Sequence, residues 1–588
     1  MGEVEEEEKG FADGYTQDGT VDLKGRPVLR SQTGRWKACT FLVGYEVFER
    51  MAYYGIASNL VLYLTKKLHE GTVTSANNVT NWVGTVFMTP ILGAYIADAY
   101  LGRYWTFVIA SAIYFSGMLL LTLSVSLPKL RPPSCGDLNC DIKKASVFQK
   151  GIFYCALYII AIGTGGTKPN ISTIGADQFD DYEPKERMLK LSFFNWWMFS
   201  IFIGTLFSNT VLVYLQDNVG FTLGYGLPTL GLAFSIMLFL IGTKFYRHKT
   251  TSGSPLTRMV QVFVASFRKW KVNAPSNPKD LHELSLEDYA KLGKLRIDHS
   301  VSLRFMDKAA VRTGSNTDWT LCTVTQVEET KQMVKMLPIL LAQFIPSSIM
   351  AQVGTLFIKQ GTTLDRSMGP NFDIPPASLS AFVTIFMLTT LALYDRVLMP
   401  FARKYTKNPR GLSMLQRLGV GLFLHCLIMV TACLVDRKRL SVAKELGISG
   451  KGEIVPLSIF ILMPQFALFG IADAFECVKL EFFYDQAPEG MKSLGTSYFT
   501  SSIGIGSFLS SFLLKTVSDV TKRNGHKGWI SDNLNECHFD YYYAFLAVLS
   551  FLNFLFYLVV CKFYCYNADI SESKKVWKET VNILPNTT

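Results

Sequence analysis

Glu46-Val47-Phe48-Glu49-Arg50 sits in the middle of Cys39–Leu64, a run that is otherwise apolar and aromatic and long enough to cross a bilayer as a helix. A charge at the centre of such a helix costs roughly 2.5–3.5 kcal/mol on insertion scales, and three occur together here. Charges survive at that depth only where they face a protein interior and find partners. Helix neighbours lie three and four residues apart, so Glu46, Glu49 and Arg50 share one stripe, continued by Tyr53, Tyr54 and Ala57. The expected role of the stripe is to bind protons and cargo along a polar interior. The alternative is a structural ion cluster that fixes helix packing.

The rest of the chain is built from similar apolar blocks. Hydrophobic residues make up 49% and charged residues 18%, which predicts an all-α polytopic membrane protein rather than several soluble domains. The net charge of +11 comes from residues between apolar runs, with no aromatic-interleaved basic patch, so nucleic acid is excluded as a partner. A lipid bilayer and a small-molecule substrate remain; nothing in the residues gives an oligomeric state. The first 38 residues are polar, with an acidic run from Glu5 to Glu8 and neither a cleavable signal nor a myristoylation site. The first span is therefore expected to insert as its own signal.

Twelve candidate spans follow one another: Cys39–Leu64, Thr80–Tyr100, Thr106–Leu127, Phe148–Thr167, Leu191–Leu215, Phe221–Thr243, Met333–Phe357, Leu379–Phe401, Leu418–Val435, Ile454–Phe475, Thr496–Ser518 and Tyr541–Phe563. The expected division is a tail (1–38), a six-helix bundle (39–243), a linker (244–332), a second bundle (333–563) and a tail (564–588). Lys244, Arg247, Lys249, Arg268, Lys269 and Lys271 mark the linker as cytosolic, and both termini with it. Arg437, Lys438 and Arg439 run against that rule, in a loop assigned to the outside. Two six-span halves around a midplane site are the plan of the major facilitator transporters.

Several local motifs bear on function. Asp98 and Arg103, bracketed by Gly93 and Gly102, are similar to the cytoplasmic loop motif of major facilitators, whose charges latch the two halves. Thr106, three residues past Arg103, is a candidate phosphosite or an ordinary helix-start threonine. Asn78-Val79-Thr80 is a glycosylation sequon abutting the membrane. Cys135 and Cys140 share a loop, where a bridge or two free thiols are possible. Gly163-Thr164-Gly165-Gly166-Thr167-Lys168-Pro169-Asn170 lacks the spacing of a phosphate loop; it reads as a glycine-loosened helix presenting Lys168 to Glu46 or Glu49. Two acids and two bases are nearly neutral together, and protonating one glutamate would release a base to drive a conformational switch. Of the seven histidines only His425 lies within a span, where a packed or hydrogen-bonded ring is the plain reading, and no enzyme constellation occurs.

The Glu46–Arg50 motif, the runs Gly166–Asn170 and Gly175–Asp180, and Phe482–Pro488 resemble the proton-coupled oligopeptide transporter family. Arg304–Ala310 and Leu364–Arg366 are similar to its plant nitrate and peptide transporter branch. The resemblance implies a proton symporter with alternating access, no cofactor beyond the coupling proton, and coupling through Glu46, Glu49, Arg50 and Lys168. It also implies substrate contacts from Arg50, Tyr53, Tyr54, Lys168, Met350 and a tenth-span acid, either Asp473 or Glu481; Glu476 and Lys479 could instead form a local pair. An arginine–acid pair of the bacterial peptide carriers is replaced by Ala57 and Ala351, a coherent joint loss because one charge left alone would be costly. Met350 stands where the nitrate carrier has histidine, and a thioether offers nitrate no N–H donor. The expected cargo is di- and tripeptides, with nitrate or another plant anion or metabolite as the alternative, in the plasma or vacuolar membrane. A channel or receptor would leave the titratable cluster unexplained.

Overall fold

The computed structural model describes residues 14–16, 18–131, 145–180, 182–249, 253–275, 277–291, 296–314, 317–370, 372–406, 411–488, 491–523 and 528–564. Its first helices are α1 (Arg35–Ala57), α2 (Leu60–Lys66), α3 (Thr72–Ile96), α4 (Gly102–Ser126), α5 (Val147–Ala176), α6 (Pro184–Phe207), α7 (Val213–Asn218) and α8 (Phe221–Gly242). Next come α9 (Pro255–Arg268), α10 (Leu286–Lys291), α11 (Val324–Lys335), α12 (Leu337–Ala342), α13 (Phe344–Val353) and α14 (Leu356–Gly361). After β1 (Leu364–Asp365) follow α15 (Ser380–Leu393), α16 (Met399–Thr406) and α17 (Met414–Glu445). The chain ends with β2 (Val455–Ser458), α18 (Met463–Glu476), α19 (Val478–Gln486), α20 (Lys492–Thr521) and α21 (Phe539–Phe563). The two short strands pair in parallel, Leu364 opposite Val455.

Among the described residues nine helices are long and apolar enough to cross a membrane, or ten if Val324–Ala342 and Phe344–Gly361 count as one. One of them, Thr72–Ser126, is 55 residues long, about twice what a bilayer needs at about 1.5 Å per residue, and holds the second and third expected spans. α1 is not among the nine, because any membrane-thick stretch of it carries Glu46, Glu49 and Arg50. The expected count of twelve is reached only by splitting Thr72–Ser126 in two, admitting α1 and also counting the bent pair as one span.

Helix ends differ from the expected spans where distant residues intervene. α3 starts at Thr72 rather than Thr80, since the Asp532 carboxylate accepts from the Thr72 N–H at 2.7 Å and supplies a cap. α17 runs ten residues past Val435 to Glu445. It carries Asp436 and Arg439 as a fully buried pair at 2.8 Å, so Arg439 is a structural residue and only Arg437 and Lys438 are exposed. α5 continues through Pro169 to Ala176. Proline has no N–H for Gly165 O, four residues back, and against that carbonyl Gly93 of α3 packs, with a Cβ there only 2.0 Å away.

Cα proximity divides the described residues into two compact units. One takes in those described residues that lie within 1–252, 343–476 and 500–554; the other those within 253–342, 477–499 and 555–588. The first contains an apolar cluster around Tyr53, Trp82, Tyr114, Phe153 and Tyr225, and a second around Phe357, Phe466, Phe469, Tyr542 and Tyr543. In the other unit Val262, Ala265, Met306, Ala309 and Val327 form a small core of their own. Beside that core Lys331 is buried between Asp307 (2.6 Å) and Glu328 (2.7 Å), which gives the Arg304–Ala310 segment a structural anchor.

The Gly175–Asp180 run is a junction of polar bonds. Gln178 accepts from the Arg247 N–H at 2.8 Å, and its carbonyl accepts from the Arg35 N–H at 2.8 Å. Glu186 meets Arg247 at 2.8 Å and Arg35 at 2.6 Å, while Arg30 reaches Asp180 at 3.0 Å. Residues 18–34 are thereby held against the ends of α5, α6 and α8, and Val21 exchanges two backbone bonds of 2.9 Å with His248.

Candidate functional site

The charged stripe of α1 faces inward. Glu46 is 0% and Glu49 1% exposed. Arg50 Nε lies 2.8 Å from Glu46 Oε1 and 2.7 Å from Glu49 Oε2, as ion pairs whose oxygens are not in line with the N–H. Gly204 of α6 permits this packing, since a Cβ there would come within 2.6 Å of Val47 O and 2.8 Å of Arg50 Cβ. Two acids share one guanidinium, so the trio is anionic when fully ionised and neutral with one proton added. That composition can take up a proton without leaving a buried charge unpaired.

Lys168 departs from expectation. No ion pair joins it to Glu46 or Glu49; its Nζ lies 3.8 Å from the centre of the Tyr53 ring and 4.6 Å from that of Phe87. Arg50, on the same helix as both acids, is the nearer base, and a desolvated ammonium is well accommodated by aromatic faces. Lys168 is thus near the stripe through Tyr53 rather than through a carboxylate.

The two tyrosines are not equivalent. Tyr53 is buried, with Trp82 stacked beside it at 5.8 Å. Tyr54 is half-buried. Asp473 is itself half-buried, whereas Glu481 on α19 is exposed. Glu476 pairs with His425 of α17, Nδ1 to Oε1 at 3.2 Å, a partnership missed in the sequence because the two lie far apart in the chain. The signal was present: each is an ionisable group at membrane depth. Met350 on α13 is exposed, and Ala57 and Ala351 are half-buried.

The loop-motif charges pair locally. Arg103 lies 3.8 Å from Asp98 and 2.5 Å from Asp177 at the end of α5, and so ties α4 to α5. Thr106 is buried and its hydroxyl donates to Gly102 O at 2.9 Å, which makes it a packed helix residue here rather than an accessible phosphate acceptor. The Asn78 amide donates to Glu70 (3.0 Å) and Tyr154 (2.6 Å), so the sequon nitrogen is engaged. Cys135, Cys140 and the acidic run Glu5–Glu8 lie outside the described residues.

A family model described as POT family matches residues 104–530. The Arabidopsis thaliana protein NRT1/PTR FAMILY 5.2 is 62% identical over 567 residues, covering 96% of this chain and 97% of the relative. The chain belongs to the POT family. Its similarity to the plant NRT1/PTR members continues with NRT1/PTR FAMILY 5.3 of the same plant, 60% identical over 98% of each chain. Among solved structures this POT chain is similar to an auto-inhibited POT family peptide transporter (TM-score 0.66, 19% identity, 90% of this chain and 98% of that one). It is also similar to the POT family transporter PepTSo (TM-score 0.65, 19% identity, 89% and 97%). The fold is accordingly the major facilitator arrangement, and this POT family member is a multi-pass membrane transporter, not an enzyme.

Proposed function

We propose that the protein is a proton-coupled symporter of di- and tripeptides working by alternating access. The observation carrying this reading is the pair of buried acids held by Arg50 on the same helix as Tyr53 and Tyr54. A peptide carries an anionic and a cationic end. Arg50 and Lys168 suit the carboxylate and Asp473 the amine, with Tyr54 between them. The similar solved structures that are described as peptide transporters support the same cargo class. Protonation of the Glu46–Glu49 pair frees Arg50 to meet the substrate carboxylate, which couples proton entry to cargo binding. In this reading residues 39–243 and 333–563 are the two halves that rock, the basic segment 244–332 and both termini are cytosolic, and the coupling ion is the proton alone.

Ala57, Ala351 and the thioether of Met350 favour a second reading, a proton-coupled carrier of another plant anion or metabolite, since no further charge at those positions demands a zwitterion. Current recording in oocytes under a pH jump, against dipeptides, nitrate and larger metabolites, decides between them. Saturable inward current with dipeptides, competed by other dipeptides and not by nitrate, is the expected result. Current with nitrate or a metabolite alone overturns the peptide assignment, and no proton-dependent current with any of them overturns symport.

A further inference from the structure

His425 and Glu476 form a buried pair that the Glu46–Arg50 stripe does not include. The His425 side chain is 1% and the Glu476 side chain 7% exposed, at 3.2 Å separation. Nδ1 of the ring also lies 2.9 Å from Gly421 O. Both neighbours of Nδ1 are acceptors, so Nδ1 carries a proton and Nε2 is the nitrogen left to gain or lose one. Close packing sets the geometry: a Cβ at Gly421 would be 2.5 Å from Glu476 Cγ, so only glycine at that level of α17 lets the glutamate lie against the ring. The Phe469 ring stands edge-on to His425 at 5.5 Å.

Among the described residues α18 sets Glu476 against the ring, with Asp473 three residues before it on the same helix. On its own helix Arg417 is two turns away, turned to Ala474 O (3.4 Å) and the Tyr394 ring (4.5 Å). α13, which also packs on α17, has no titratable side chain over Phe344–Val353. α21 meets the neighbouring residue Cys426 through Ser550 at 3.3 Å. Counted by itself, and beyond the proton on Nδ1, the pair is neutral with one proton on either Nε2 or the carboxylate, cationic with two, and anionic with none.

We propose that His425 and Glu476 are a second proton-binding site of this transporter, and that its occupancy sets the charge standing beside Asp473. Extending the symporter reading, it gives α17 and α18 a proton of their own, distinct from that of the α1 acids. Binding or release makes and breaks only an N–H or O–H bond, with the proton exchanged with water.

The test is a count of protons taken up by purified full-length protein after a pH jump from 8 to 5, read with a pH-indicator dye, in wild type and in H425N/E476Q. The double variant keeps a neutral donor and acceptor in the same space and is expected to bind about one proton fewer. A count equal to wild type overturns the proposal. If the double variant does not elute as a monodisperse species, H425Q/E476Q, which also removes both titratable groups, is counted instead, with the same two outcomes. The count needs no cargo, so it decides the second site even if uptake proves independent of the proton gradient, which would sink symport alone. E49Q, counted in parallel, is expected to retain the His425–Glu476 proton.

Discussion

Arg50 stands between two carboxylates of its own helix, and that arrangement fixes what substitution of either should do. With Glu49→Gln, Arg50 keeps Glu46 as partner, so the protein is expected to reach the membrane while proton-driven uptake falls at least about tenfold, or ~1.4 kcal/mol. Uptake still driven by the pH gradient would remove Glu49 from the coupling site. Lys168→Ala leaves the Tyr53 and Phe87 faces without their cation, and loss of transport at normal surface abundance is expected; unchanged rates would show that the ammonium has no part in transport. That the stripe faces inward was legible because charges in an apolar run survive only against a protein interior. The partner of Lys168 was not, because a side chain on α5 chooses among groups from α1 and α3 according to interhelical distance, and residue spacing along α5 carries no such information.

At the scale of elements, apolar runs revealed the helices, and tertiary bonds moved their ends. Asp532 capping Thr72 and the Asp436–Arg439 pair inside α17 are both invisible to a window read along the chain. The Gly175–Asp180 run was recognisable as a motif, but its work became clear only from Glu186, which gathers Arg247 and Arg35. Removing one partner of a buried pair leaves an uncompensated charge, so Glu186→Ala should cost about 3–5 kcal/mol, seen as a lower melting temperature and reduced surface abundance. Wild-type melting would show that the junction is dispensable. Next to it, burial pulls His248 down to about 4, and Asp177 opposes that only in part. A histidine lowered from 6.5 stabilises while neutral; its contribution is complete above about pH 6.5 and is lost as the pH falls through about 4. Hydrogen-exchange protection of the Val21 and His248 amides should accordingly fall between pH 6.5 and 4. The same fall in His248→Phe would assign the effect to other groups.

For the whole molecule, a many-span helical membrane fold was readable from the apolar runs, whereas the contacts between sequence-distant ends were not. Asp217, after α7 begins its last turn, takes Lys66 and Arg366 at 3.3 Å each, and Tyr214 stacks on Phe372 at 5.6 Å. Part-exposed pairs of this kind contribute about 0–1 kcal/mol each, enough to bias a two-state equilibrium up to about fivefold. Asp217→Asn is expected to broaden the distance distribution between spin labels at the exposed Val219 and Met368 and to raise the open population there. An unaltered distribution would mean that the link carries no part of the conformational balance.

Pro169 adds a mechanical consequence. One backbone bond is missing from α5 a single residue from Lys168, while α1 has no proline over Arg35–Ala57. The base is thus mounted on a jointed rod and the acids on a stiff one. A small flexion at Gly165–Pro169 would swing the ammonium off its aromatic seat towards the carboxylates without breaking a single rung of either helix.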